Sequence, residues 1–394
     1  MELYWEHFGL AAALALSLFV LIGLAIRLIE THKRRMFLWA MVAFFVFNAL
    51  DALDTLAYSQ LFSGPNWLQD WQNVLIPGFM VSLYFFVRGL TSSNPKLGRK
   101  DLLHLLPFVG AFLCLSPTLF VAGDLSDATD LSEGYLRLAQ LGENAFWMLW
   151  ILMLIIYGAL CVRRLFRHKR NIRVLFSDLD GKTLRWLDAL VVTIFGLALL
   201  VIINEARLLL GYPDWLSGVN AMLYDVVLAG SFGIFALRAQ PPLPQWSEEI
   251  LHTPAPEEYP EARDVQGAQF EVKRYARSGL QQSDLDRYAA RLEQRVADGR
   301  LWRDHALNLR RLAAEISIPS IHLSEVLNTK LGMSFYDYIN QCRVRDACAL
   351  LIETNMSILE ISEAVGFNAK STFNSSFKKV TDQTPSQWRK AHQP

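Results

Sequence analysis

The sequence predicts an all-α chain in two parts: a seven-helix bundle that crosses a membrane, then an all-helical soluble domain containing two helix–turn–helix units. Three observations carry this expectation. Apolar residues make up 52% and charged residues 19% of the 394 residues, an imbalance that soluble chains rarely show. The long apolar runs are confined to residues 1–240, whereas residues 241–394 read as an ordinary soluble domain. The plan of helix, tight turn and helix then occurs twice within the last third of the chain. The formal net charge of zero averages two unlike halves and identifies no partner.

The first seven residues contain Glu2 and Glu6 and no Lys or Arg. That is the wrong charge for a cleavable leader, so the first apolar run is expected to be a retained span. A helix needs about 20 apolar residues to cross the hydrocarbon core. Seven segments come close: Phe8–Ile29, Met36–Tyr58, Val74–Leu90, Leu102–Val121, Ala145–Val162, Leu187–Leu210 and Val219–Leu237. None alternates polar with apolar residues, so helices rather than barrel strands are implied.

Basic residues in the connections set the orientation. Stretches 31–35, 91–101 and 163–185 hold 3, 3 and 8 Lys or Arg. The alternate stretches 1–7, 59–73, 122–144 and 211–218 hold one, Arg137, and carry acids such as Asp124, Asp127, Asp130 and Glu133. The N-terminus is therefore expected outside a bacterial inner membrane and the C-terminus in the cytoplasm. Trp67, Trp71 and Trp215 suit interfacial anchors on the outer side. The basic stretch Arg163–Arg173 reads either as a topology determinant or as a lipid-headgroup contact.

Ionisable groups inside a span are costly and face the bundle interior. Asp51 and Asp54 in the second span, Glu205 and Arg207 in the sixth and Asp225 in the seventh all fall toward the outer side, with Asn48 extending the Asp51 face inward. This set is either a ligand pocket in which Arg207 balances the acids or a polar cluster that ties the bundle together. No assigned span contains a Lys, which excludes a retinal Schiff base. No metalloprotease helix, serine elbow or Gly-rich phosphate loop occurs, so neither an enzyme nor a cofactor is expected. The four cysteines show no C-x-x-C spacing and read as buried thiols, with no metal site.

Residues 1–237 thus form the expected membrane domain and 238–282 a linker. Its Pro241, Pro242, Pro244, Pro254, Pro256 and Pro260 suit an extended chain. From Ser283, an N-cap candidate, helical periodicity returns through Leu285, Tyr288, Ala289, Leu292 and Val296 until Gly299. This is either the first core helix of the C-terminal domain 283–394 or a dimerising helix. Next come Leu309–Ile316, a turn at Ser317–Pro319 and a helix Ser320–Leu331. A long helix Phe335–Glu353 leads to Ile358–Val365, a turn at Gly366–Asn368 and a helix Ala369–Val380. Two such units suit two groove faces about one turn of DNA apart.

The run Leu309 to Arg389 contains, in order, Leu312-Ala313, His322-Leu323-Ser324, Leu331 to Phe335, Arg343, Ala347 and Leu350-Leu351. It continues in Ala364-Val365-Gly366-Phe367, Phe373, Phe377-Lys378-Lys379 and Thr384-Pro385-Ser386-Gln387-Trp388-Arg389. This ordered series resembles the DNA-binding domain of the AraC/XylS family of bacterial regulators. Two departures stand out: Ser317 and Asp382 occupy positions where the family has Gly, and Asp tolerates the left-handed backbone that such a position needs.

The resemblance implies DNA-facing residues in both units. They are Ser320, His322, Ser324, Glu325, Asn328 and Lys330 in the first, and Lys370, Ser371, Thr372, Asn374, Ser375, Lys378 and Lys379 in the second. The second unit also has Arg389 and Lys390, so it is expected to anchor on phosphate while the first selects sequence. Glu325 is either an acceptor for a cytosine amino group or a solvated acid.

The expected function is a membrane-bound one-component transcriptional regulator. Its partners would be double-stranded DNA, the bilayer, a small-molecule or membrane-derived signal, a second copy of the chain and RNA polymerase. The competing expectations are a membrane enzyme or transporter with an appended regulator, and a DNA reader on a passive anchor.

Overall fold

The computed structural model describes residues 2–31, 36–58, 73–119, 132–216, 219–251 and 280–392. The chain divides into two compact units, Met1–Phe166 with Leu184–Pro242, and Arg167–Thr183 with Leu243–Pro394. The second unit therefore takes in a piece of chain that lies, in sequence, between two apolar helices.

The first unit is built from α1 (Glu2–Glu30), α2 (Met36–Tyr58), α3 (Pro77–Thr91), α4 (Leu106–Leu119, entered through a 3-10 turn at Arg99–Leu105), most of α5 (Glu133–Leu175), α6 (Arg185–Leu209) and α7 (Val219–Arg238). Six helices among the described residues are long and apolar enough to cross a membrane by length and composition. The seventh expected span coincides with α7, which is not among those six and several of whose side chains lie outside the described residues. Pro at the start of α3 costs nothing there, because the first amides of a helix have no partner within it.

The core of this unit is aliphatic and aromatic, with Leu24, Leu38, Met41, Phe45, Phe86, Leu90 and Phe232 inaccessible. Phe44 stacks on Phe232 at 4.2 Å. Arg27 near the end of α1 donates to the Leu237 and Ala239 carbonyls at 2.8 and 2.9 Å, satisfying acceptors that the end of α7 leaves open.

Two elements differ from the sequence expectation. The fifth span, placed at Ala145–Val162, is the middle of a 43-residue helix. The basic residues that mark the end of an apolar run are good helix formers, so they do not end the helix. The linker, expected to be extended, contains α8 (Ser247–Leu251), in which Ser247 and Ile250 are buried. Pro254, Pro256 and Pro260 lie outside the described residues, as do Trp67 and Trp71.

The second unit adds α9 (Gln282–Gly299), α10 (Leu309–Glu315), α11 (Ser320–Glu325, running on as a π turn through Val326–Lys330), α12 (Phe335–Glu353), α13 (Ile358–Ala364), α14 (Lys370–Thr381) and α15 (Pro385–His392). Helix α9 begins one residue before Ser283: Asp284 accepts from the Gln281 amide at 3.2 Å, and Ser283 is not its cap. Local chemistry explains the other starts. Asn308 caps α10 by accepting from the Arg311 amide at 3.0 Å, and Ser334 caps α12 by accepting from Asp337 at 3.1 Å. Ser357 and Glu360 form a reciprocal capping box on α13.

Ser317 and Asp382 do adopt left-handed backbone, with φ of 55° and 56°. One hydrophobic cluster joins Leu309, Leu312, Leu323, Leu327, Phe335 and Ile339 to Ile172, Val174 and Leu175 from the end of α5. A second joins Val344, Ala347, Leu351, Ile361, Val365, Phe367, Phe373 and Phe377.

Candidate nucleic-acid interface

Each helix–turn–helix pair presents its second helix on a scaffold held by α12. Helix α14 buries Phe373, Ser376 and Phe377 against the core. Phe373 meets Phe367 and Phe377 edge-on at 5.3 and 5.6 Å. Because a helix turns every 3.6 residues, that burial leaves the opposite side open. Lys370, Ser371, Asn374, Ser375, Lys378 and Lys379 are all exposed there, with Thr372 half-buried beside them.

Lys378 forms no ion pair among the described residues, while the Lys379 ammonium lies 2.8 Å from Asp337. Asp337 is pushed up by burial, but hydrogen bonds from Lys379 and Ser334 outweigh that and hold its carboxyl below the usual range. The Arg389 guanidinium is committed elsewhere: it donates to the carbonyls of Leu351 and Met356 at 3.3 and 2.6 Å, which seats α15 against the end of α12.

The first unit differs. Leu323 and Leu327 occupy the inward positions that Phe373 and Phe377 occupy in the second, so Ser324 and Glu325 correspond to Asn374 and Ser375. Asn374 and Ser375 are exposed, but Ser324 is 1% and Glu325 6% accessible. Of the two readings of Glu325, a solvated acid or an acceptor for a cytosine amino group, burial removes the first. His322 stacks on Tyr288 of α9 with ring centres 6.0 Å apart. Lys330 pairs with Asp286 of the same helix at 2.6 Å. Asn328 donates to the Ser324 hydroxyl at 3.4 Å, and Ser320 is half-buried. Helix α8 lies against α11, and α9 against the π turn that continues it. Of the two recognition helices, α14 has the open face and α11 is covered.

Spacing along the sequence does not reveal the group that ties the two helix–turn–helix pairs together. Arg343 on α12 is 1% accessible, and burial pulls its guanidinium down to about 10 without discharging it at neutral pH. Beside it, Asp346 accepts from Trp302 Nε1 at 2.9 Å and from Arg303 at 2.8 and 3.0 Å. Arg343 was visible only as one residue of the family pattern; its partners are too far away in sequence to be read from spacing.

The polar residues expected inside the membrane are only partly assembled. Asn48 and Asp51 line a cavity of about 310 Å³ in the first unit together with Asn73, Phe44, Trp147 and Trp150. Asn48 also accepts from the Ser17 hydroxyl at 2.7 Å. Glu205 and Arg207 are not part of its lining. The Arg207 guanidinium lies over Tyr212 and Trp215, at 5.1 and 5.4 Å from their ring centres. The side chains of Asp54 and Asp225 lie outside the described residues.

Two helix–turn–helix units on one connecting helix define a reader of double-stranded DNA. Residues 312–391 match the family model described as a helix-turn-helix domain. Over 90 residues the chain is 30% identical to the melibiose operon regulatory protein of Escherichia coli (strain K12), an alignment covering 23% of this chain and 30% of that one. Over 113 residues it is 26% identical to the HTH-type transcriptional regulator MtrA of Neisseria gonorrhoeae, covering 29% and 36%. Among solved structures, the C-terminal domain of AraT, a response regulator from Geobacillus stearothermophilus, is 25% identical, covers 28% of this chain and 86% of that one, and superposes with a TM-score of 0.24. The chain spans about a third of the length of these two curated relatives. Its C-terminal part is a helix–turn–helix DNA-binding domain of the AraC type.

Proposed function

We propose that this chain is a membrane-bound one-component transcriptional regulator. The apolar helices sense a signal, and the tethered C-terminal domain reads an operator on the cytoplasmic side of a bacterial inner membrane. The observation that carries the DNA-reading part is the open polar and basic face of α14, opposite a buried Phe373–Phe377 face. Membrane embedding is supported by large apolar side chains left bare on α1: Leu18, Phe19, Ile22, Ile26 and Ile29 are each 50% or more accessible. Lipid accommodates such a stripe at no cost, whereas water would not. A tether also raises the local concentration of a second copy, which favours a dimer on DNA and a fixed station for RNA polymerase.

Lys378 is the group to test. Each phosphate neutralised contributes about 0.9 to the slope of log affinity against log salt. Lys378→Ala in the full chain is expected to weaken binding to a duplex selected from a random pool by roughly 5- to 10-fold at moderate salt, and to lower that slope by about 1. An unchanged slope would remove α14 from the interface.

The signal site in this reading is the cavity beside Asn48 and Asp51, mostly apolar with a few converging polar groups, as small-molecule sites are. Asp51→Asn is expected to abolish the transcriptional response in a reporter strain while leaving the amount of membrane-inserted protein unchanged. Loss of insertion instead would make the cluster a structural tie.

A further inference from the structure

The DNA-reading unit is completed by a segment that is remote from it in sequence. Arginine has five N–H donors in a fixed fork, and Arg343 uses all five. Nε donates to the Trp302 carbonyl at 2.7 Å. Nη1 donates to the Ser177 carbonyl at 3.1 Å and to Asn340 Oδ1 at 3.2 Å. Nη2 donates to the Ser177 hydroxyl at 3.1 Å and to the Asp304 carbonyl at 3.0 Å. Ser177 stands in the connection between α5 and α6, so two of the five bonds of a buried cation come from the stretch that joins two apolar helices.

That connection is seated at further points. The Ser177 hydroxyl, while accepting from Arg343, donates to the Leu307 carbonyl at 2.6 Å, and the Ser177 amide reaches the same oxygen at 3.3 Å. Phe176 pairs with Asn308 in an antiparallel bridge just ahead of α10. Asp178 accepts from Asn368, in the turn of the second unit, at 3.4 Å. The Arg343 guanidinium lies 5.4 Å from the centre of the Phe367 ring. One short segment thus touches the entry to the first helix–turn–helix, the helix between the two, and the turn of the second.

We propose that Leu307–Asn308, Arg343 and Asn368 form a docking surface whose occupant is the chain's own inter-span connection Phe176–Asp178, and that this seat sets the mutual spacing of the two helix–turn–helix units. The proposal rests on the regulator reading for its purpose. Helix α5 ends at Leu175 and α6 starts at Arg185. A signal that shifts either helix moves the seat, and a moved seat changes which operator spacing the two recognition helices can span once the face of α11 is uncovered.

The test uses the full chain in lipid nanodiscs, with Ser177→Ala and, as a milder variant outside the buried fork, Asp178→Ala. Amide hydrogen exchange is read across residues 358–382, about 180 positions from the change. Losing a buried hydrogen bond is worth about tenfold in a local opening equilibrium. Both variants are expected to exchange faster in that stretch, Ser177→Ala by about tenfold. With a duplex selected by the parent protein, and copies of it lengthened by one or two base pairs between the two contacted segments, Ser177→Ala is expected to lose most of the parent's preference for the original spacing. It should keep the parent's affinity for a duplex bearing the second segment alone. Unchanged exchange at 358–382 in both variants would overturn the seat, and so would an intact spacing preference. The exchange measurement needs no DNA, so it decides the seat separately from the regulator reading.

Discussion

Gly366→Ala is expected to abolish sequence-specific DNA binding while leaving membrane insertion intact. Gly366 starts the turn of the second unit with φ at 95°, in the region that disfavours side chains. A Cβ there would lie 2.5 Å from the Arg303 carbonyl oxygen and 2.7 Å from that of Trp302. Both are backbone atoms, held in place because the Trp302 carbonyl accepts from Arg343 and the Arg303 side chain is clasped by Asp346. They cannot move aside cheaply. Left-handed strain of about 1–2 kcal/mol adds to an overpacking cost of about 1–3 kcal/mol. That is a large share of what a domain of this size has. Protease resistance of α13–α14 and retention of a selected duplex by the full chain are the measurements. Near-parental values of both would mean that the turn does not pack against the Trp302–Arg303 strap.

Asp346→Ala is expected to loosen the same junction by about 2–3 kcal/mol. The loss is that of charge-assisted hydrogen bonds from Arg303 and Trp302, discounted because Arg303 is partly open to solvent. Its pH dependence is specific. Burial pushes the Asp346 carboxyl up, but the hydrogen bonds from Arg303 and Trp302 and the Arg303 charge outweigh it, leaving it below the usual carboxylate range. A carboxyl depressed in the folded state stabilises above its unfolded value of about 3.9 and loses that contribution as pH falls through the folded value. The difference in exchange protection of α12 between the parent and Asp346→Ala, corrected for intrinsic rates, is therefore expected to be flat from pH 8 to about 5 and to close below about 4. A gap that closed near neutral pH would assign the effect to another group.

The readable parts of the sequence were those whose physics is local. Helix α12 was expected at Phe335–Glu353 and spans those residues. Helix α14 begins and ends within one residue of its expected bounds. The left-handed positions at Ser317 and Asp382 were legible because a turn after a helix demands them whatever residue is present. Charge was a poorer guide to helix ends: Arg163 to Arg173 close an apolar run, while the backbone of α5 continues to Leu175. Burial across distant segments left no trace in spacing. Nothing near Ser324 or Glu325 announces that α11 is covered, and nothing near Ser177 announces a buried arginine 166 residues later. A lone Ser in a polar connection has no periodicity to betray it. The covered first recognition helix also changes the expected division of labour, since selection by α11 requires its face to be exposed first.

In the proposed function one polypeptide both crosses the bilayer and reads DNA beside it. The most direct measurement is binding of a selected duplex, against a scrambled one of equal length, by intact chains in lipid nanodiscs, with the lipid, the uncleaved protein and the DNA counted in each particle. Particles containing all three are expected, with preference for the selected duplex by a factor of about 10³ or more. Duplex bound only by chains cleaved free of the disc, or equal binding of both duplexes, would contradict it.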